Sequence, residues 1–239
     1  MNTKVGELNT TLPTPTIPVE LNDQGVISVE DARRGFKCLC KVNEAYPGYR
    51  LEFYEGYPGS WPSPIFTLTI DQVIGPDSEP FEFELPVSRL SEGVHYVKQR
   101  LIDVAGVGED SLEKQYIVDF TAPYSFSFPP AASPPANLPE GSQITPGYLE
   151  QYGGVLFTFE DSPDWAQDDS QYIYWSLDPN PEVSECIDTV AWHATGNTYF
   201  LTAAVIQAAG TGTFWFVFAL MDLAGNRSRN SRAVRFTVV

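Results

Sequence analysis

From residue 25 onward the chain is written in short alternations of apolar and polar residues, broken at close intervals by Gly, Pro, Asn and Asp. Phe36, Cys38, Cys40 and Val42 alternate with Lys37, Leu39 and Lys41. Leu51 and Phe53 share one face of 49–55, and Phe66, Leu68 and Ile70 alternate with Ile65, Thr67 and Thr69. Phe81, Phe83 and Leu85 point away from Glu82 and Glu84. A period of two is the mark of a strand with one face buried. Together with VISV at 26–29 and the runs at 95–103 and 113–119, the first half reads as seven strands, the pattern of an all-β sandwich. Only SVEDARRG at 28–35 tempts toward a helix, as a single turn. In the second half the strand candidates are 154–159, 171–177, 188–194, 198–206, 214–222 and 232–239.

The halves share a motif. LIDVAGVGEDS occupies 101–111 and LMDLAGNRSRNS occupies 220–231, with Gly106 and Gly225 standing 119 residues apart. Self-similarity at about half the chain length predicts two copies of one domain rather than a single large core. Aligned on the motif, Val97 matches Phe216 and Leu101 matches Leu220; after a one-residue insertion Tyr116 matches Phe236 and Val118 matches Val238. Asp103 and Asp222 each end a strand, the glycines accept positive φ, and the carboxylates can take backbone N–H bonds across the turn. That predicts a structural turn at Asp103, Gly106, Asp222, Gly225 and Asn226 rather than a calcium site.

This strand–D-x-A-G-N–strand unit resembles the immunoglobulin-like repeats of bacterial and phage proteins, where it links the last two strands of a sandwich. The second copy, Asp222 to Asn226 with Ser228, fits well; the first carries Val107 where Asn is usual. Val118-Asp119-Phe120-Thr121-Ala122-Pro123 has the form of the linker that follows many such repeats. The likeness is strongest over 81–123 and 198–239. It implies an all-β chain of two tandem immunoglobulin-like β-sandwich domains joined by a Pro-rich linker: an extended N-terminal arm (1–24), a sandwich (25–122), the linker (123–147) and a second sandwich (148–239). It says little about function, since such repeats occur in adhesins, as accessory domains of secreted enzymes and in phage virion proteins.

A net charge of −17 excludes nucleic acid as a natural partner and disfavours anionic membranes. No run approaches the roughly 20 apolar residues of a membrane span, and the first residues lack the pattern of a signal peptide, so a cytosolic start is expected. Cys38, Cys40 and Cys186 form an odd set without disulfide spacing and are expected reduced and mostly buried. Catalytic candidates are few. His95 and His193 lie in or beside strands, with no nucleophile elbow and no phosphate loop. Zinc spacing is missing. The cluster Asp161, Asp164, Asp168 and Asp169 in loop 160–169 lacks the calcium-loop pattern and is expected to be solvated. No catalysis, metal or cofactor is expected. The best contact surface is 46–64, where Tyr46, Tyr49, Tyr54, Tyr57 and Trp61 stand among Pro and Gly; such aromatics serve protein partners, sugar rings or the packing of a sandwich end.

The expected function is a non-enzymatic structural or binding protein. The first reading is a phage virion component, a capsid decoration or tail accessory protein docking on capsid or tail proteins, with self-association left open. The alternative is a bacterial surface or secreted adhesin module that binds host proteins or glycans at the cell surface. An accessory domain of a polysaccharide-active enzyme is a third.

Overall fold

The computed structural model describes residues 12–125, 127–162 and 166–239. It divides into two units, the first ending at Asp119 and the second beginning at Phe120. Each is an immunoglobulin-like β-sandwich.

Unit 1 runs β1 (Val26–Ile27), α1 (Val29–Arg34), β2 (Phe36–Cys40), β3 (Arg50–Gly56), β4 (Phe66–Thr69), β5 (Phe81–Leu85), β6 (Gly93–Ile102), β7 (Gly108–Asp110) and β8 (Lys114–Val118). One sheet has the order β1-β8-β6-β3-β4, with β7 on the end of β6; the other is β2-β5. Unit 2 runs β9 (Gln143–Ile144), α2 (Pro146–Tyr152), β10 (Gly154–Thr158), β11 (Ser170–Ser176), β12 (Asp188–Ala191), β13 (Thr198–Thr202), α3 (Ala203–Ala209), β14 (Gly212–Met221) and β15 (Val234–Val238). Its sheets are β9-β15-β14-β11-β12 and β10-β13. The two orders coincide strand for strand, including a first short strand that pairs parallel with the last one. The duplication therefore spans the whole domain, not only the motif-bearing second half. Ile27 and Ile144 fill the same core position, and a short capped helix follows each, with Ser28 accepting from Asp31 N and Thr145 from Tyr148 N.

Alternation places the cores. Leu51, Phe53, Val97, Tyr116 and Val118 close on Phe36, Cys38, Cys40 and Leu85 in unit 1. Val155, Phe157, Leu201, Ile173, Trp175, Phe216 and Phe236 do so in unit 2, where the Phe157 and Phe216 rings stack.

The repeated motif forms the same turn twice. Asp103 Oδ1 accepts from Ala105 N and Val107 N, both at 2.8 Å, and Asp222 Oδ1 accepts from Asn226 N at 2.7 Å. Gly106 and Gly225 have φ of 85° and 91°. A second shared device lies just downstream. Ser111 N donates to Gln99 O and Ser111 Oγ accepts from Gln99 N; Ser231 does the same with Phe218. Each serine replaces a ladder partner where the last strand bulges away from β6 or β14.

Three segments differ from the sequence expectation. Of the expected arm, residues 1–11 lie outside the described residues, but 12–24 belong to unit 1. Thr16 pairs with Leu39 through two backbone bonds, Ile17 is buried, and Leu12 N donates to Glu109. Prolines 13, 15 and 18 remove donors that an edge segment does not need. The expected linker at 123–147 is likewise part of unit 2: Ala132, Leu138 and Ile144 are in its core, Ser133 bridges Thr158, and β9 and the start of α2 fall inside it. Proline density here marks edge backbone rather than a spacer. Finally, the run at 198–206 is a strand only to Thr202. Thr202 then caps α3, whose alanines favour helix and which buries Ile206.

Candidate binding face

Two Tyr-Pro-Gly turns flank β3. Tyr49 N donates to Tyr46 O at 3.0 Å, and Ser60 N to Tyr57 O at 2.8 Å. Gly48 and Gly59, with φ of 92° and 79°, occupy the third turn position, behind a proline preset for the second. Each turn lifts its first tyrosine into solvent, Tyr46 at 47% and Tyr57 at 58% exposure. The strand between them has seven residues, about 23 Å at 3.3 Å per residue. The five aromatics therefore do not form one patch. Tyr46 and Tyr49 meet edge-to-face at one end. Tyr54, Tyr57 and Trp61 lie toward the other.

The outer face of the β3–β6 pair sorts that second group. Arg50, Glu52 and Tyr54 point outward, opposite Ile102, Arg100 and Lys98. Glu52 takes the Arg50 Nε at 2.8 Å and the Tyr54 hydroxyl. Lys98 Nζ lies 4.8 Å from the Trp61 ring centre, 5.6 Å from that of Tyr54 and 3.3 Å from Asp110. Only 12% of the Lys98 side chain is exposed. Tyr54 and Trp61 thus close over a lysine, a cation–π contact that packs the outer face, and Tyr57 is the ring left presented.

Beside Tyr57 opens a cleft of about 420 Å³ lined by Glu55, Ser60, Arg89, Ser91 and His95. Glu55 shares the inward face of β3 with Leu51 and Phe53 and is buried. Its carboxylate accepts the Tyr116 hydroxyl at 3.1 Å and faces His95 Nδ1 at 3.3 Å and Arg89 Nη1 at 3.9 Å. His95 Nε2 reaches Ser91 O at 2.7 Å, and its ring stacks on Tyr116. Both ring nitrogens meet acceptors. The hydrogen bond to Glu55 raises the His95 pKa above its usual value, opposed by burial and aided by the Ser91 carbonyl. Burial pushes the Tyr116 phenol up, with the Glu55 charge adding to it. The floor of the cleft is therefore a fixed Glu–His pair whose imidazole has no nitrogen left for a bound molecule.

The residues Glu55, Arg89 and His95 were not singled out as a set in the sequence. Glu55 sits at an inward strand position where an apolar residue is the rule, and that phase is the signal that could have found it. The other histidine, His193, is exposed. In the acidic loop, Asp164 lies outside the described residues, Asp161 Oδ1 accepts from Gly196 N, and Asp169 Oδ2 from Ala166 N. Cys38, Cys40 and Cys186 are free thiols. Among the described residues no helix is long and apolar enough to cross a membrane.

No family model and no curated protein matches the chain. Among solved structures, it is similar to fibronectin(III)-like modules of Clostridium thermocellum CbhA, with 14% identity over 94% of this chain and 93% of that one and a TM-score of 0.46. It is also similar to the FN1–FN3 domains of chicken CNTN1, at 12% identity, 96% and 66% coverage and TM-score 0.46. A third is a 1.5-MDa bacterial ice-binding adhesin, at 18% identity, 96% and 63% coverage and TM-score 0.45.

Proposed function

We propose that the protein is a non-catalytic binding module, two immunoglobulin-like domains that hold a partner-contacting end on a larger surface. The observation that carries this is Tyr57: a ring presented on a rigid Tyr-Pro-Gly-Ser turn at the rim of a polar cleft whose floor is already hydrogen-bonded. An aromatic on a preorganised turn gives contact area at little entropic cost. The cleft's titratable groups are committed to one another, which suits recognition and not proton transfer.

The carrier is a virus-like particle, with the protein a capsid decoration or tail accessory part that docks on capsid or tail proteins. Three reduced cysteines, two of them buried side by side on β2, support folding in a reducing compartment. The second reading is a cell-surface adhesion module whose partners are proteins or glycans, for which the tyrosine rim is equally apt. Immunogold electron microscopy of producing cells and purified particles, with an antibody to unit 2, separates them. Regular label on particles is the expected result, and label confined to the envelope with bare particles transfers the protein to the second reading. Binding of labelled carriers by Tyr57→Ala should fall about tenfold against wild type; unchanged binding removes the tyrosine rim from the contact.

A further inference from the structure

Unit 2 segregates its charge. Residues 120–239 contain no lysine and four arginines, Arg227, Arg229, Arg232 and Arg235, all within nine positions of one another. The same stretch carries twelve acidic residues spread from Glu140 to Asp222. The first two arginines stand on the segment that joins β14 to β15, along a cleft of about 750 Å³.

The walls are of two kinds. Arg227 lies over the buried Tyr174 ring, its Nη2 donates to the Tyr174 hydroxyl at 3.0 Å and to Asn230 Oδ1 at 2.5 Å, and its Nε is buried without a hydrogen-bond partner. Asn230 in turn donates to Asn180 Oδ1 and Pro181 O, so the arginine is held rigidly to the loop that closes the cleft. Arg229 is exposed, and its guanidinium lies 5.1 Å from the centre of the Phe128 ring. No carboxylate of the described residues is within ion-pair range of either arginine. Phe128 and Val183, 57% and 52% exposed, supply an apolar wall. Glu182, the cap of the turn at Val183–Glu185, is the one acid in the lining against two arginines, which leaves the cleft a net cation.

We infer that this cleft binds an acidic peptide segment, a carboxylate side chain on the exposed Arg229 guanidinium beside the fixed positive charge of Arg227, whose Nη1 donates to Ser228 O and Nη2 to Tyr174 and Asn230, with a neighbouring apolar side chain on Phe128 and Val183. A guanidinium with unused N–H groups matches a carboxylate in a fork, and stacking on Phe128 holds the Arg229 plane open for it. An isolated carboxylate is the anion that fits. Extended polyanions, whether nucleic acid or heavily sulfated glycan, meet the acidic remainder of a chain with net charge −17. The apolar wall has no use in binding a bare anion but fits a peptide in which acidic and apolar residues are neighbours.

The inference rests on unit 2 and is independent of the Tyr57 contact. It is tested on the full chain by fluorescence anisotropy with the peptide fluorescein-Gly-Ser-Asp-Leu-Glu-Phe-Gly-Ser, its Asn/Gln counterpart, and a heparin fragment as competitor. Saturable binding of the acidic peptide is expected, weakened about tenfold or more by Arg229→Gln and by added salt, reduced by Phe128→Ala, and unchanged by Tyr57→Ala. Arg229 is exposed and makes no side-chain hydrogen bond among the described residues, so Arg229→Gln keeps the fold; an unaltered urea midpoint checks this. Equal binding of the neutral peptide, indifference to Arg229→Gln, or no saturable binding overturns the proposal. Displacement by heparin at lower concentration than by unlabelled peptide assigns the cleft to a sulfated glycan and overturns it too.

Discussion

Replacing Ser231 with alanine removes one oxygen and leaves the backbone of unit 2 nothing to put in its place. Phe218 N donates to Ser231 Oγ at 3.0 Å, and Ser231 is buried. On its other side β14 is paired with β11, so the Phe218 N–H has no second ladder to turn to. Leaving a buried N–H unsatisfied costs about 1–3 kcal/mol. Taking about 2 kcal/mol, and about 4 °C per kcal/mol for a domain of this size, the melting point of unit 2 should fall by about 8 °C. Four of the five tryptophans lie in unit 2, so urea unfolding followed by tryptophan emission reports on it. Ser231→Thr keeps the oxygen and should cost clearly less. Hydrogen exchange supplies the local readout: protection of the Phe218 amide should drop while that of Phe216, inside the ladder, drops only as far as global stability does. A loss below about 0.5 kcal/mol, with Phe218 still protected, would refute the idea that this serine is a ladder partner. Because Ser111 accepts from Gln99 N at 3.1 Å in the same way, Ser111→Ala should reproduce the effect in unit 1.

The His95–Glu55 pair gives unit 1 a pH dependence. The folded pKa of His95 is raised above its unfolded value, so the stabilisation is whole below about pH 6.5 and is lost as pH rises through the folded pKa. Urea midpoints between pH 5.5 and 8.5 should decline over that interval, and Glu55→Gln should flatten the decline; a midpoint that rises with pH contradicts the pairing. Gly154→Ala should cost more than about 2 kcal/mol, because a Cβ there meets Leu201 O at 2.3 Å with φ at 153°, whereas Gly59→Ala, with open space and φ of 79°, should cost about 1 kcal/mol; comparable midpoints for the two would refute the steric argument. Burial pushes the Cys38 and Cys40 thiols well above the usual range, while Cys186 is half-buried, so a thiol-reactive dye should label one cysteine per folded chain quickly and three only after denaturation.

Much of the fold was legible because a strand has a period of two and a turn has a chemistry. The alternation at 36–42, 81–87 and 95–103 located β2, β5 and β6 to within a few residues, and the repeated Asp–x–Ala–Gly step located the turn after β6 and β14. The first-half duplication was not legible, although it is as complete in space. Val26-Ile27-Ser28 and Gln143-Ile144-Thr145 share only a buried isoleucine and a helix cap, too few letters to stand out. The sequence reads α3 as strand because Tyr199 and Leu201 keep the period of two up to its cap and Ala203 continues it into the first helical position. The prolines misled in the other direction. A high proline count says that backbone N–H groups are not needed, and both a free spacer and a buried edge segment satisfy that.

The aromatic run at 46–64 divides the two sources of information most clearly. Sequence by itself determined that two Tyr-Pro-Gly turns bound a strand, since proline and glycine fix those dihedrals locally whatever surrounds them. It determined too that the chain is an acidic all-β protein with a duplicated sandwich, because periodicity and charge are properties of the string. Which tyrosine is presented and which is consumed in packing was decided only by tertiary structure. Lys98 comes from a strand far along the chain and draws Trp61 and Tyr54 over itself, leaving Tyr57 free. The same holds for the Glu55–His95 pair, which the β3–β6 register brings together, and for Arg229 on Phe128, which meet where two non-strand segments fold against each other; no local pattern in the sequence records either contact.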